Sequence, residues 1–194
     1  DNAKLRKARE AGKYAVELVK SGRRPSQLIT REVLMNAIMF DMAVAGSTNA
    51  VLHILSFSYE LGIRLTLEDF EKYAEEIPCI NAVVPSGPYT VVDFHYAGGV
   101  MNVMKMLESK LFTEVPGMYG ISWKEMLAKV TPRENEVIHS LERPLFQEPG
   151  LKILRGNLSP NGAIVRPTAV YDEVKYMRGK AKVFDGDRAA FEAI

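Results

Sequence analysis

Apolar positions recur at intervals of three and four through the first two-thirds of the chain, then give way to short, turn-bounded runs after Pro144. Leu5, Ala8, Gly12, Ala15, Val16 and Val19 form one helical stripe with Lys and Arg opposite, and Gly22 and Pro25 stop it. Thr30 is placed to cap a second helix that carries Val33, Leu34, Ala37, Ile38 and Met42 on one side. Asp41 falls on or beside that apolar face and needs a partner if it is buried. Gly46-Ser47-Thr48-Asn49 interrupts, and Val51, Leu52, Leu55 and Tyr59 resume the helical period to Gly62. Thr66-Leu-Glu-Asp69 and Ser122-Trp-Lys-Glu125 are capping-box starts, for helices running to about Ile77 and Val130. Between them, the proline-bearing segment Pro78 to Tyr89 holds Ala82-Val83-Val84, predicted as a strand or extended run. Ala97-Gly98-Gly99 predicts a turn that launches a helix over Val100 to Leu107.

Leu151-Lys-Ile-Leu154, Ala163-Ile-Val165 and Ala181-Lys-Val-Phe184 are predicted strands. Gly156-Asn157, Pro160-Asn161-Gly162 and Asp185-Gly186 supply the turn chemistry between or beside them. The pattern therefore divides the chain into a helix-rich part, residues 1–146, and the opening strands of a β-rich part, residues 147–194. Arg143 to Gly150, with two prolines, is the expected linker.

Composition narrows the classes. A chain of 194 residues that is 47% hydrophobic and 25% charged supports a real core and is not disordered. Lys plus Arg total 25 against 24 Asp plus Glu, a formal charge of +1, which gives no broad footprint for nucleic acid or an anionic membrane. Met42 to Tyr59 lacks charge, but its second half as a helix would span only ~18 Å of a ~30 Å bilayer core, so it reads as buried and soluble. Cys79 stands alone, which excludes an internal disulfide framework, a Cys-rich zinc site and a cluster held by several thiolates of this chain. It also favours a reducing compartment. The sequence opens at Asp1 without a secretory leader and stops as a helix begins near Asp187, so a piece of a longer protein is expected.

The Ala45-Gly46-Ser47-Thr48-Asn49 turn is the best local candidate for chemistry. Small and hydroxyl residues before a helix offer backbone N–H groups to an anion, and the helix dipole favours negative charge there. The same residues also suit a plain N-cap. Ala97-Gly98-Gly99 reads as a tight turn, Cys79 as a small packed hydrophobe, and the methionines and Trp123 as packing. His53 lies one turn beyond Asn49 and fits either a polar site or a hydrogen-bonded structural role. His95, near Asp93, reads as surface, and His139 has no evident partner. The three histidines are too far apart for a local metal motif, and there is no P-loop, G-x-S-x-G or H-E-x-x-H.

Asn36-Ala37 followed by Asp41-Met-Ala-Val-Ala-Gly-Ser-Thr-Asn-Ala-Val-Leu-His53 resembles the central motif of the dihydroxy-acid dehydratase / 6-phosphogluconate dehydratase family. Further matches follow in the family's order: Leu65-Thr-Leu-Glu-Asp-Phe70, Pro85-Ser-Gly87, Asp93-Phe-His-Tyr-Ala-Gly-Gly99, Leu151 through Val165, and Gly179-Lys-Ala-Lys-Val-Phe184. Ala45 departs from the family's usual Gly, a mild change expected to leave the turn intact. Pro85-Ser-Gly with Arg166-Pro-Thr-Ala-Val is more similar to dihydroxy-acid dehydratases and their sugar-acid relatives than to the phosphogluconate branch.

The resemblance implies an α/β fold: the helix-rich later half of an α/β N-terminal domain, then the first strands of a swivelling, β-barrel-like C-terminal domain. It implies a cytoplasmic hydro-lyase of branched-chain amino-acid synthesis, homodimeric or homotetrameric, that dehydrates a small 2,3-dihydroxy acid to a 2-keto acid. An aldonate dehydratase of the same family and a non-catalytic small-anion-binding module are the alternatives. The family uses an iron–sulfur cluster as Lewis acid and a magnesium ion to orient substrate, with ligands lying outside the stretch matched by this chain. No catalytic or metal-binding residue carries over, and Cys79 matches no cluster ligand. Ser47, Thr48 and Asn49 are the expected active-site lining, and an isolated piece is expected to be inactive.

Overall fold

The computed structural model describes residues 2–117 and 120–194. Its helices are α1 (Asn2–Lys20), α2 (Pro25–Leu28), α3 (Arg31–Ala43), α4 (Thr48–Glu60), α5 (Leu67–Glu76), α6 (Val91–Tyr96), α7 (Gly99–Met106), α8 (Trp123–Leu127) and α9 (Asp187–Glu192). Two strands, β1 (Lys152–Leu154) and β2 (Ala163–Val165), pair antiparallel with Ile153 opposite Ile164. The helix-rich part and the following strands thus appear in the expected order.

Helix α3 is the centre of the core. Thr30 caps it, its side chain accepting the Val33 N–H. Leu34, Met35, Ile38, Met39, Met42 and Ala43 are all buried, so the helix is apolar around most of its circumference. Helices α4, α5 and α7 pack on it. From α5 come Phe70 and Tyr73, whose hydroxyl donates to the Met35 sulfur at 3.0 Å. Arg31 at the start of α3 pairs with Asp69 of α5 at 2.5 Å and also donates to the Arg64 carbonyl.

The end of α3 fixes what comes next. Ala45 adopts φ 47°, the left-handed conformation that usually falls to glycine, at a cost of roughly 1 kcal/mol. The turn holds nonetheless, with the Gly46 N–H donating to the Asp41 carbonyl at 3.0 Å. Other last-turn carbonyls are claimed from far along the chain: Met42 by the Gly150 N–H at 2.8 Å, and Ala43 by those of Ile80 at 2.8 Å and Asn81 at 3.1 Å. The segment expected as a linker is therefore fastened to the helical part. A Cβ at Gly150 would overlap the Ala45 backbone and the Met42 carbonyl.

Beyond α5 the chain contains few strands, and buried asparagines bridge its loops. Asn36 donates to the Phe112 carbonyl at 3.0 Å and accepts the Phe112 N–H at 2.9 Å. Asn81 donates to the Val137 carbonyl at 2.6 Å. Asn102 spans the Ala97 carbonyl and both backbone groups of Arg133. Each amide presents a donor and an acceptor, as a neighbouring strand would. The hairpin then lies against α5, where Arg155 meets Glu68 at 3.0 Å and Glu71 at 2.9 Å.

Three expectations change. Ala82-Val83-Val84 forms no ladder: Val83 makes one bridge to Tyr89, and a cis Val84–Pro85 bond turns the chain. The prolines on either side remove the donors a strand needs. Residues 181–184 form no strand, since no partner lies beside them among the described residues, and Val183 is exposed. Helix α8 stops at Leu127 rather than near Val130. Helix α1 forms as patterned but buries none of its residues, with Leu5 68% and Val19 79% exposed. Pro25 opens α2 at its first turn, where a missing N–H costs nothing. Among the described residues no helix is long and apolar enough to cross a membrane.

Removing the Asn36 amide would strand the two Phe112 backbone groups it serves. Asn36→Ala is expected to lower unfolding stability by about 2 kcal/mol. Denaturant midpoints check this, and an unchanged midpoint contradicts the bracing role.

Candidate functional site

Four separated segments meet at one cavity of about 330 Å³. The α3–α4 turn contributes Phe40, Val44, Ala45, Gly46 and Ser47, and the 81–83 stretch adds Asn81 and Val83. Val91, Phe94 and Val100 come from α6 and α7, and Arg166 arrives from just after β2. The walls are mainly apolar, and Arg166 is their one charged residue.

Arg166 is held in place by Ser86. Its Nη1 donates to the Ser86 hydroxyl at 3.1 Å, and Ser86 is buried in the turn that follows Pro85. A Cβ at Gly87 would overlap the Ala82 backbone, so this turn is packed against the 79–82 strip. Pro85-Ser-Gly and Arg166-Pro-Thr, distant motifs in the sequence, thus form one contact.

Asp41 sits beneath the α3–α4 turn and is 7% exposed. A Cβ at Gly46 would overlap its carboxylate, so the close approach requires glycine there. Its Oδ2 has no hydrogen-bond partner. Burial pushes the carboxyl from its ordinary 3.8 up to about 7, opposed by the positive charge of Arg166 and a hydrogen bond from the Ser47 backbone N–H. No ion pair within 4 Å joins Asp41 to Arg166, so each acts on the other only through space.

Of the expected site residues, Ser47 lines the cavity and also caps α4, its hydroxyl accepting the Asn49 N–H at 3.2 Å. Thr48 and Asn49 form the first turn of α4 and are not among the cavity-lining residues. The Gly46 N–H goes to the Asp41 carbonyl, that of Ser47 to the Asp41 carboxylate, and that of Ala50 to the Ser47 carbonyl. The chain's own acid therefore stands where an incoming anion was anticipated. Asp41, Ser86 and Arg166 were not among the expected site residues. The available signals were an acid on an apolar helical face and an arginine directly after a predicted strand.

The remaining candidates lie outside this cavity. His53 and His95 are exposed, the latter with its ring 5.6 Å from Tyr96, and the backbone N–H of His139 donates to Ile80. Gly98 and Gly99, at φ 110° and 59°, make the turn into α7. Trp123 packs on the core. Cys79 is fully buried and its thiol donates to the Asn81 carbonyl at 3.2 Å. Burial pushes that thiol up to about 12, and Cys79 is the single cysteine of this sequence, so no set of thiolates stands ready here for a cluster. Among the described residues no three His, Cys, Asp or Glu side chains gather to hold a metal. The residues here do not fit an iron–sulfur cluster or a magnesium ion.

Between pH values of about 4 and 7 the folded protein holds a proton on Asp41 that the unfolded chain has released, so stability falls as pH rises across that window and is level above it. Asp41→Asn keeps the shape without the charge. It is expected to raise the melting temperature at about pH 8, by the equivalent of at most about 4 kcal/mol, with the gain vanishing towards pH 4. A gain that is equal at both pH values contradicts a buried, titrating Asp41.

Comparison with known proteins places both parts of the chain in one family. The N-terminal model of the dihydroxy-acid/6-phosphogluconate dehydratases matches residues 1–126, and the C-terminal model matches residues 136–194. A dihydroxy-acid dehydratase of Methanoregula boonei is 40% identical over 192 residues, covering 99% of this chain and 35% of that protein. One of Methanosarcina barkeri is 39% identical, covering 100% and 36%, and one of Aeropyrum pernix is 38% identical, covering 98% and 35%. The chain thus spans about a third of the length of the curated relatives it matches. Arg166 belongs to the second matched segment and Asp41, Ser47 and Ser86 to the first, so the cavity is assembled from both. The chain belongs to the dihydroxy-acid/6-phosphogluconate dehydratase family.

Proposed function

We propose that the whole protein is a hydro-lyase of the dihydroxy-acid dehydratase type, removing water from a small 2,3-dihydroxy acid to give an enol that becomes a 2-keto acid. The observation that carries this reading is similarity to dihydroxy-acid dehydratases along 98–100% of the chain in each of the three relatives named above. In this reading the enzyme is cytoplasmic, works as a homodimer or homotetramer and serves branched-chain amino-acid synthesis. The division into residues 1–146 and 147–194 goes with it.

An iron–sulfur cluster and magnesium belong to the same proposal as groups held by other parts of the protein. Among the described residues of this chain none gather to hold either group. This chain's share is to form part of the site wall. In this reading the Ser47-Thr48-Asn49 turn borders the active site: Ser47 faces the cavity, and Thr48 and Asn49 set the start of α4 behind it.

The full-length enzyme should turn over 2,3-dihydroxyisovalerate with kcat/KM at least ~10-fold above that for xylonate. Turnover of xylonate alone assigns the protein to the aldonate dehydratases instead, and turnover of neither overturns the enzyme reading. Ser47→Ala combined with Thr48→Ala should cut kcat/KM on the preferred substrate by ~10-fold or more, and unchanged kcat and KM would remove the turn from the site.

A further inference from the structure

Asp41 grips the α3–α4 turn at three points. Its backbone carbonyl accepts the Gly46 N–H at 3.0 Å, and its carboxyl accepts the Ser47 N–H. Its Oδ1 also fills the space that a Cβ on Gly46 would need. Ser47, held this way, faces the cavity and turns its hydroxyl to the Asn49 N–H at 3.2 Å. The second carboxyl oxygen, Oδ2, is enclosed and has no partner among the described residues. The atoms that enclose it belong to this chain, so further chain can bury it more deeply but cannot reach it without parting them. An enclosed O–H without an acceptor costs far less than an enclosed, uncompensated negative charge. The neutral carboxyl is therefore the form that fits the site.

Arg166 is the one charged side chain whose field acts on Asp41, and it makes no ion pair with it. The first turn of α4, Thr48 to Val51, is uncharged, and His53 beyond it is exposed. On the strip beside the turn, burial keeps the Cys79 thiol neutral, and Gly150 has no side chain. From α5 and α7, Asp69 pairs with Arg31, Glu68 and Glu71 with Arg155, and Lys105 with Glu108.

We propose that Asp41 is a positioning residue of the active site, its neutral carboxyl pinning the α3–α4 turn so that Ser47 faces the cavity. The inference rests on the hydro-lyase reading for what the cavity does, and on this chain alone for the pin. Ionisation puts a charge on the enclosed oxygen, and the turn must loosen to bring a donor to it.

The test uses the full-length enzyme with 2,3-dihydroxyisovalerate as substrate. Asp41→Ala removes the acceptor and the packing, whereas Asp41→Asn keeps both and cannot ionise. Backbone hydrogen exchange over residues 44–50, read by mass spectrometry at about pH 6, should quicken ~10-fold or more in Asp41→Ala and stay near wild type in Asp41→Asn. In Asp41→Ala kcat/KM should fall ~10-fold or more, and Asp41→Asn should recover most of that loss. Wild type should also lose kcat/KM as pH rises through about 7, a limb missing from Asp41→Asn. Exchange in Asp41→Ala that matches wild type overturns the pin, and equal losses of kcat/KM in both variants overturn its role in the site. If Asp41→Ala does not fold, the pH profiles decide: the same alkaline limb in wild type and Asp41→Asn overturns the proposal. If wild type turns over neither dihydroxyisovalerate nor xylonate, the hydro-lyase reading is what fails. Exchange that quickens in Asp41→Ala and not in Asp41→Asn then still supports the pin.

Discussion

The carbonyls at the C-terminal end of α3 hold the rest of the molecule in register. A helix end leaves backbone acceptors that must find donors once it is buried, and here they come from residues 80–81 and 150 as well as from the adjacent turn. One short stretch of backbone therefore fixes where the irregular 79–89 segment runs and where the hairpin begins. The Ala45 turn lies between these attachments, which is why its left-handed residue tolerates a side chain. The methyl group packs with Cys79, Ala82 and Leu145, and that burial offsets the backbone strain.

Local signals were enough for the longer helices and their caps. Thr30, Ser47, Thr66 and Ser122 cap where their spacing places them, because a cap depends on residues only three positions apart. Ala82-Val83-Val84 and 181–184 misled for the complementary reason: a strand exists only if something pairs with it, and pairing is not a local property. The stripe on α1 has the right period and still faces outward, since periodicity names a face without naming what covers it. The candidate site was legible in the same partial way. Ser47 announces itself as a cap, but nothing near Arg166 in sequence says that its guanidinium will lie against Ser86, 80 positions earlier.

Electrostatically the cavity is unbalanced by design of its surroundings. Asp41 and Arg166 lie near enough to influence each other and too far apart to neutralise each other. The acid is buried with one oxygen unpartnered, while the base is braced by a neutral hydroxyl. A hydroxyl partner orients a guanidinium without cancelling its charge, which a carboxylate at the same place would do. Positive potential is thus kept available at a surface whose chain carries a net charge of only +1.

The attachment of Gly150 to Met42 has a mechanical meaning. The hairpin leaves from a point bonded to the same helix end that carries the Ala45 turn, and Arg155 ties its far side to α5. Any displacement of residues beyond 165 relative to the helical part must therefore pivot after the hairpin, with Arg166 as the first side chain beyond the fixed root. A swing of that later segment would have to break the Arg166–Ser86 hydrogen bond first, while leaving the apolar wall standing still.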